Sequence, residues 1–177
     1  MSEITASTTE PAATEPCSTI DFHLRLGPLA SAKGDVAAVL GESVLALLAM
    51  FYPSNIAKKA NIVVTELVTN VFENILDPDS AFTLALHISP ETLLIKVSNQ
   101  VNAEVIEKLQ TKVALLASVT DAKKLMVQTI RERRPHRLKG GLGLIRLVAE
   151  NRFALSVSHT ESGMITVSAR YTIERSP

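Results

Sequence analysis

The chain has 177 residues, 46% hydrophobic and 20% charged, which suits one domain with a sizeable core and leaves little room for a second. Eighteen basic residues balance eighteen acidic ones, so no global positive field draws it to nucleic acid or anionic lipid. The longest apolar run, Val44 to Tyr52, is far shorter than the about 20 residues that cross a bilayer. The amino terminus has neither the basic residue nor the apolar block of a secretory signal, and the single Cys17 excludes an internal disulfide framework. These features predict a cytoplasmic protein with no membrane span.

Residues 1–19 are almost entirely Ser, Thr, Ala, Glu and Pro, with too little apolar surface to offset the entropy of ordering them. They read as a disordered acidic tail before one folded domain, residues 20–177. Ile20, Phe22, Leu24 and Leu26 alternate with Asp21, His23 and Arg25, the pattern of a strand with one buried face, and Gly27-Pro28 ends it. Val36, Val39, Leu40, Val44, Leu47 and Leu48 then follow helical spacing over about 31–51, where Pro53 stops the helix and Ser54 is placed to cap the next.

That next helix, from Asn55 to about Leu76, is predicted to be two-faced. Val64, Leu67, Val68, Val71, Phe72 and Ile75 share one side; Lys59, Glu66, Asn70, Glu73 and Asp77 share the other. Asp77-Pro78-Asp79-Ser80 ends it. Strands over Phe82 to Ile88 and Leu93 to Ser98 are joined by a short connection that favours an antiparallel hairpin. Helices over about 103–118 and 121–133 follow, then a glycine-rich turn, a helix over 142–150, and a closing hairpin of 153–159 with 164–173. The order predicts an α/β two-layer sandwich: a mixed, mainly antiparallel sheet with helices on one face. Thr83, Lys96 and Arg170 mark the other face as partly exposed and open to a partner.

Two segments carry chemistry. Glu66 and Asn70 stand four residues apart, so a helix stacks a carboxylate one turn from a carboxamide, oxygen ligands suited to magnesium. About seventy residues later, Lys139-Gly-Gly-Leu-Gly-Leu-Ile-Arg146 places a glycine turn before a helix, where backbone amides can face phosphates. Taken singly, the first is an ordinary solvated helix face and the second an ordinary turn. The basic run from Arg131 to Lys139 either contacts phosphate or merely stabilises a helix terminus. The four histidines lack metal-ligand spacing.

Together, and in this order among the predicted elements, Glu66-Leu-Val-Thr-Asn-Val-Phe-Glu-Asn74 and Gly141-Leu-Gly-Leu-Ile145 resemble the GHKL superfamily, the histidine-kinase-like ATPase fold. The likeness is closest to bacterial anti-sigma-factor kinases and, through Gly27-Pro28-Leu29 and Val97-Ser-Asn99, to SiaB-type protein kinases. The resemblance implies an ATP- and Mg-dependent Ser/Thr kinase acting on a small antagonist protein, STAS-like or SiaC-like, with a sigma factor and a second copy of the chain as further partners. It implies Glu66 as general base and Asn70 as magnesium ligand, with Asn74 in support. It places Asn99 at adenine, the segment Lys139, Gly140, Gly141, Leu142 and Gly143 over the phosphates, and Thr166 on the strand behind the adenine. One departure stands out: the family's Asp-x-Gly-x-Gly is replaced by Ser98-Asn-Gln-Val-Asn102, with a neutral acceptor and no glycine. The alternative is therefore a GHKL-fold module with a degraded adenine site that sequesters a sigma factor or signalling partner without catalysis.

Overall fold

The alternation at the start of the domain becomes β1, Ile20–Leu26, in a computed structural model that describes residues 19–133 and 142–174. A 3-10 turn over Leu29–Ser31 leads to α1, Val36–Ala49, which starts later than its apolar spacing suggested because Asp35 accepts a hydrogen bond from the Ala38 amide at 2.9 Å and sets the boundary. Next come α2, Ser54–Glu73, then β2, Phe82–Ile88, and β3, Thr92–Gln100. They are followed by α3, Ala103–Ser118, and α4, Ala122–Arg133. The chain closes with α5, Gly143–Ala149, β4, Ala154–His159, and β5, Met164–Thr172.

Two boundaries differ from expectation. Ser54 is not a cap: it is the first residue of α2, Pro53 holds the capping position, and no side chain closes that end. Pro53 suits the spot, since its missing N–H is one the helix start leaves unbonded anyway. At the other end α2 stops at Glu73 rather than near Leu76, where the Asn74 backbone N–H donates to the Val71 carbonyl and its side-chain Nδ2 donates to the Asn70 carbonyl at 2.7 Å.

All four strand pairings are antiparallel, in the order β1-β2-β3-β5-β4, so the expected mixture reduces to one antiparallel sheet. Helices cover one face, giving the two-layer sandwich. Because side chains alternate across the sheet, Leu84, Ile95 and Ala169 face the helices and are fully buried. Thr83, Lys96 and Arg170 lie on the opposite, partly exposed face.

The centre of the helix layer is α2. Its residues Ile56, Ala57, Ala60, Val63, Val64, Leu67, Val68 and Val71 are all buried, a stripe at 3.6-residue spacing that seals it to the sheet. Each large member contributes about 1.5–3 kcal/mol by leaving water. Across α2 lies α1, which approaches closely at Gly41: a Cβ there would overlap the Thr65 hydroxyl and stand 2.9 Å from Asn61 Oδ1. A polar thread follows the crossing, with Asn61 donating to Glu42 at 2.9 Å and Thr65 donating to Asn61 at 3.2 Å. Among the described residues no helix is long and apolar enough to cross a membrane.

Gly41→Ala is expected to lower stability by about 1–2 kcal/mol in urea titration, because forcing the helices apart outweighs the gain of about 1 kcal/mol in helix propensity. An increase in stability would show that the crossing is loose.

Candidate functional site

Burial of the apolar stripe sets the roll of α2, and that roll turns Asn70 and Asn74 toward one cleft, with Glu66 one turn before Asn70. Their positions, four residues apart, stack along a single helical row. The stacking is fastened by hydrogen bonds: Asn70 Nδ2 donates to the Glu66 carbonyl at 2.7 Å, and Asn74 Nδ2 donates to the Asn70 carbonyl at 2.7 Å. With each amide nitrogen committed to the helix, the Oδ1 atoms of both side chains remain as acceptors.

Opposite them, β3 contributes Asn99, the one buried polar residue of the described core, only 8% exposed. Sequence reading placed the strand end at Ser98, yet β3 runs to Gln100, so Asn99 sits within a strand and its parity points it inward with Val97 and Val101. Its Nδ2 makes a long bond to the Gln100 carbonyl at 3.4 Å, and no hydrogen bond of its Oδ1 to another described residue occurs.

The last glycine of the turn closes the other end. Gly143 begins α5 directly against Glu66: a Cβ on it would overlap Glu66 Oε2 and lie 2.8 Å from the carboxyl carbon. Only glycine permits this approach, which answers why that residue type stands there. Arg146, one turn along α5, brings its guanidinium to 3.7 Å from Glu66 Oε1 and also bonds Glu150 at 3.3 Å. Leu142, half-buried, packs on the core just before α5. The remaining turn residues expected over phosphate, Lys139, Gly140 and Gly141, lie outside the described residues.

Thr166, expected on the strand behind an adenine, does not line the cleft. It pairs with Ser98 in register and shares a 2.7 Å hydroxyl hydrogen bond with it on the face away from the helices. Its neighbour Val167 is the β5 residue that lines the cleft. Side-chain alternation allows one of the two inside, and the apolar one is taken.

Between Asn70, Asn74 and Asn99 the cleft is floored and walled by Leu67, Val71, Val97, Val101, Leu144 and Val167, with Val105 and Leu109 of α3 along one side. Space open to solvent within it is about 20 Å³, room for one or two waters. The donor set fits a hard cation: one carboxylate and two amide oxygens suit magnesium, which keeps several waters or phosphate oxygens of its own. The base side does not fit a purine with α3 where it stands; Val105 and Leu109 must move out first. Among the described residues no three His, Cys, Asp or Glu side chains converge on a metal-sized site, so cation binding here would rest on Glu66 and the amides.

Sequence reading missed Arg146, whose approach to Glu66 spans eighty residues, and missed α3 as a wall of the cleft. It also missed the role of Lys59, whose Nζ donates to the Asn151 carbonyl at 2.8 Å and stands 4.5 Å from the centre of the Tyr171 ring. Burial, with a smaller contribution from Arg152, lowers the pKa of this lysine. That contact fastens the turn after α5 to α2, where Arg152 adopts a φ of 61°.

Comparison with known proteins identifies fold likeness only. No family model matches the sequence, and no curated protein matches it. A chain in the crystal structure of the SiaB-SiaC complex from Pseudomonas aeruginosa is similar, with 18% identity, a TM-score of 0.60, and coverage of 87% of this chain and 89% of that one.

The contact between Gly143 and Glu66 is testable by a double-mutant cycle. Gly143→Ala is expected to cost about 1 kcal/mol in the native sequence and little in a Glu66→Ala background, read from denaturant midpoints. Equal costs in both backgrounds would mean that the two residues do not touch.

Proposed function

We propose that the chain is an ATP- and Mg-dependent Ser/Thr protein kinase of GHKL type, working in partner-switching signalling on a small antagonist protein. The observation that carries this reading is the meeting of Asn70, Asn74 and Asn99 around one cleft, with Glu66 one turn before Asn70 on α2 and Gly143 pressed against its carboxylate. Phosphoryl transfer asks an enzyme mainly for positioning and charge neutralisation, and this is a sufficient kit.

When bound, magnesium ATP supplies the transferred phosphoryl group and the cation that offsets its charge. The protein's own groups do the rest. Asn70 Oδ1, backed by Asn74, would hold the cation, since both amide nitrogens are tied to α2 and cannot compete. Glu66 orients the attacking hydroxyl and takes its proton, and Arg146 restrains the carboxylate from swinging away. Asn99 Oδ1 would be the group available to accept a hydrogen bond from the adenine amino group, more weakly than the family's aspartate would. Entry of the base requires α3 to withdraw Val105 and Leu109. Because the similar chain comes from a SiaB-SiaC complex, a SiaC-like protein is the first substrate to try, and a sigma factor a further partner.

A second reading is supported by the replaced aspartate and by the closeness of Val105 and Leu109: a non-catalytic module that keeps the fold and binds its partner by surface contact. Incubation of the protein and a bacterial lysate with γ-labelled ATP separates the two. A kinase labels one partner polypeptide, whereas a module retains a partner without labelling any.

Asn70→Ala is expected to weaken magnesium ATP binding at least tenfold by calorimetry, about 1.4 kcal/mol, with the melting temperature within a few degrees of the parent because the lost bond is partly exposed. Unchanged affinity would remove Asn70 from the site.

A further inference from the structure

We infer that Lys59 is a positioning residue: by holding the Asn151 carbonyl it fixes where α5 sits along α2, and so keeps Gly143 and Arg146 against Glu66. The placement of α5 stands apart from the nucleotide reading, whereas its consequence for phosphoryl transfer rests on that reading.

Two contacts fasten α5 to α2, one at each end. At its start Gly143 presses on Glu66; just past its finish the Asn151 carbonyl accepts a hydrogen bond from Lys59 Nζ at 2.8 Å. Lys59 and Glu66 stand seven residues apart on α2, and α5 is seven residues long, so at 1.5 Å per residue both spans are about 10 Å. The two helices therefore run in opposite directions with their ends matched. Between those ends Leu144, Ile145 and Leu147 are buried, which sets how deep α5 lies and which way it rolls. Apolar burial is non-directional and does little to stop a slide along the axis. A slide matters at Gly143, where no spare room separates backbone and carboxylate.

The carbonyl that Lys59 holds moves with the helix. Asn151 donates from both its backbone N–H and its Nδ2 to the Arg146 carbonyl, each at 3.3 Å. Beyond it Arg152, at a φ of 61°, returns its N–H to the Val148 carbonyl at 3.3 Å, and Phe153 returns its own to Leu147 at 3.0 Å. Phe153 is buried, its ring 5.4 Å from that of Tyr171, the same ring that Lys59 Nζ faces at 4.5 Å. A displacement of Asn151 is thus passed to Arg146, whose guanidinium lies 3.7 Å from Glu66. Burial, with a smaller contribution from Arg152, lowers the pKa of Lys59, so its charged head is less favourable here than in water and is a poor source of stability. What the contact supplies is a fixed position.

Heteronuclear NMR of the full chain with glycine-selective ¹⁵N labelling reads that position through seven glycines. Lys59→Met, which keeps the apolar stem and removes the donor, is expected to shift or broaden the Gly143 signal and to leave that of Gly41, at the crossing of α1 and α2, in place. Lys59→Arg is expected to restore it. Asn151→Ala, which breaks one link to Arg146 and leaves the held carbonyl, is expected to move Gly143 in the same direction by less. In turnover of γ-labelled magnesium ATP by the full chain, Lys59→Met is expected to lower kcat about tenfold with KM for ATP within about twofold, because the displaced group is the base and not the cation site; Lys59→Arg is expected to recover most of the loss. A native chain that turns over no ATP removes the nucleotide reading and leaves the spectra to decide where α5 sits. A Gly143 signal indifferent to Lys59→Met, or one that moves only together with Gly41, overturns the inference, and so does a folded Lys59→Met variant with unchanged kcat.

Discussion

The arrangement of this molecule depends on one helix having two faces. Burying eight residues of α2 against the sheet leaves the helix no freedom to roll, so the row flanking that stripe is aimed as firmly as the core is packed. Glu66, Asn70 and Asn74 owe their common direction to this constraint. A rotation by one residue, 100° of helix, would bury a carboxylate and expose a valine, a cost of several kcal/mol against any local preference.

Around that row the cleft divides into a polar rim and an apolar floor. The rim is preorganised: two asparagines bond their own helix, and a carboxylate is confined between a glycine backbone and Arg146. The floor is aliphatic and nearly closed, so only Asn99 brings hydrogen-bonding capacity to it. Rim and floor thus make different demands. Cation chemistry is compatible with the structure as it stands, whereas anything flat and bulky depends on the mobility of α3, which packs on β4 and α5 rather than on the cleft's rigid centre. Two helices of unequal anchorage enclose one site, and that inequality is what any ligand must work with.

The sheet shows the same economy. One face is sealed, the other carries Ser98, Thr166 and Ser168 with charged residues between them, a surface at ease in water. Neither edge is fully covered: the helix-side residues of β1, and Leu155 and Val157 of β4, are half-buried, although α3 packs on β4.

Much of this was legible before any coordinates. Period-two alternation located β1, β2 and β5, 3.6-residue spacing located α1 and α2, and the four-residue step from Glu66 to Asn70 placed both on one helical face, because each pattern is a local consequence of backbone geometry. Short-range signals failed where the answer was long-range. The alternation of Ile165, Val167, Ala169 and Tyr171 already put Val167 and not Thr166 on the apolar face, whereas the pairing of β5 with β3 is set by packing across the sheet. Whether Pro53 or Ser54 heads α2 was decided by where the stripe had to meet the sheet. The pairing of Arg146 with Glu66 and the placing of Val105 and Leu109 over the floor required the whole chain to close. The sequence by itself determined the elements and the row of donors on α2; the tertiary structure decided what those donors face, since periodicity is written within one helix or strand while contact is a property of two.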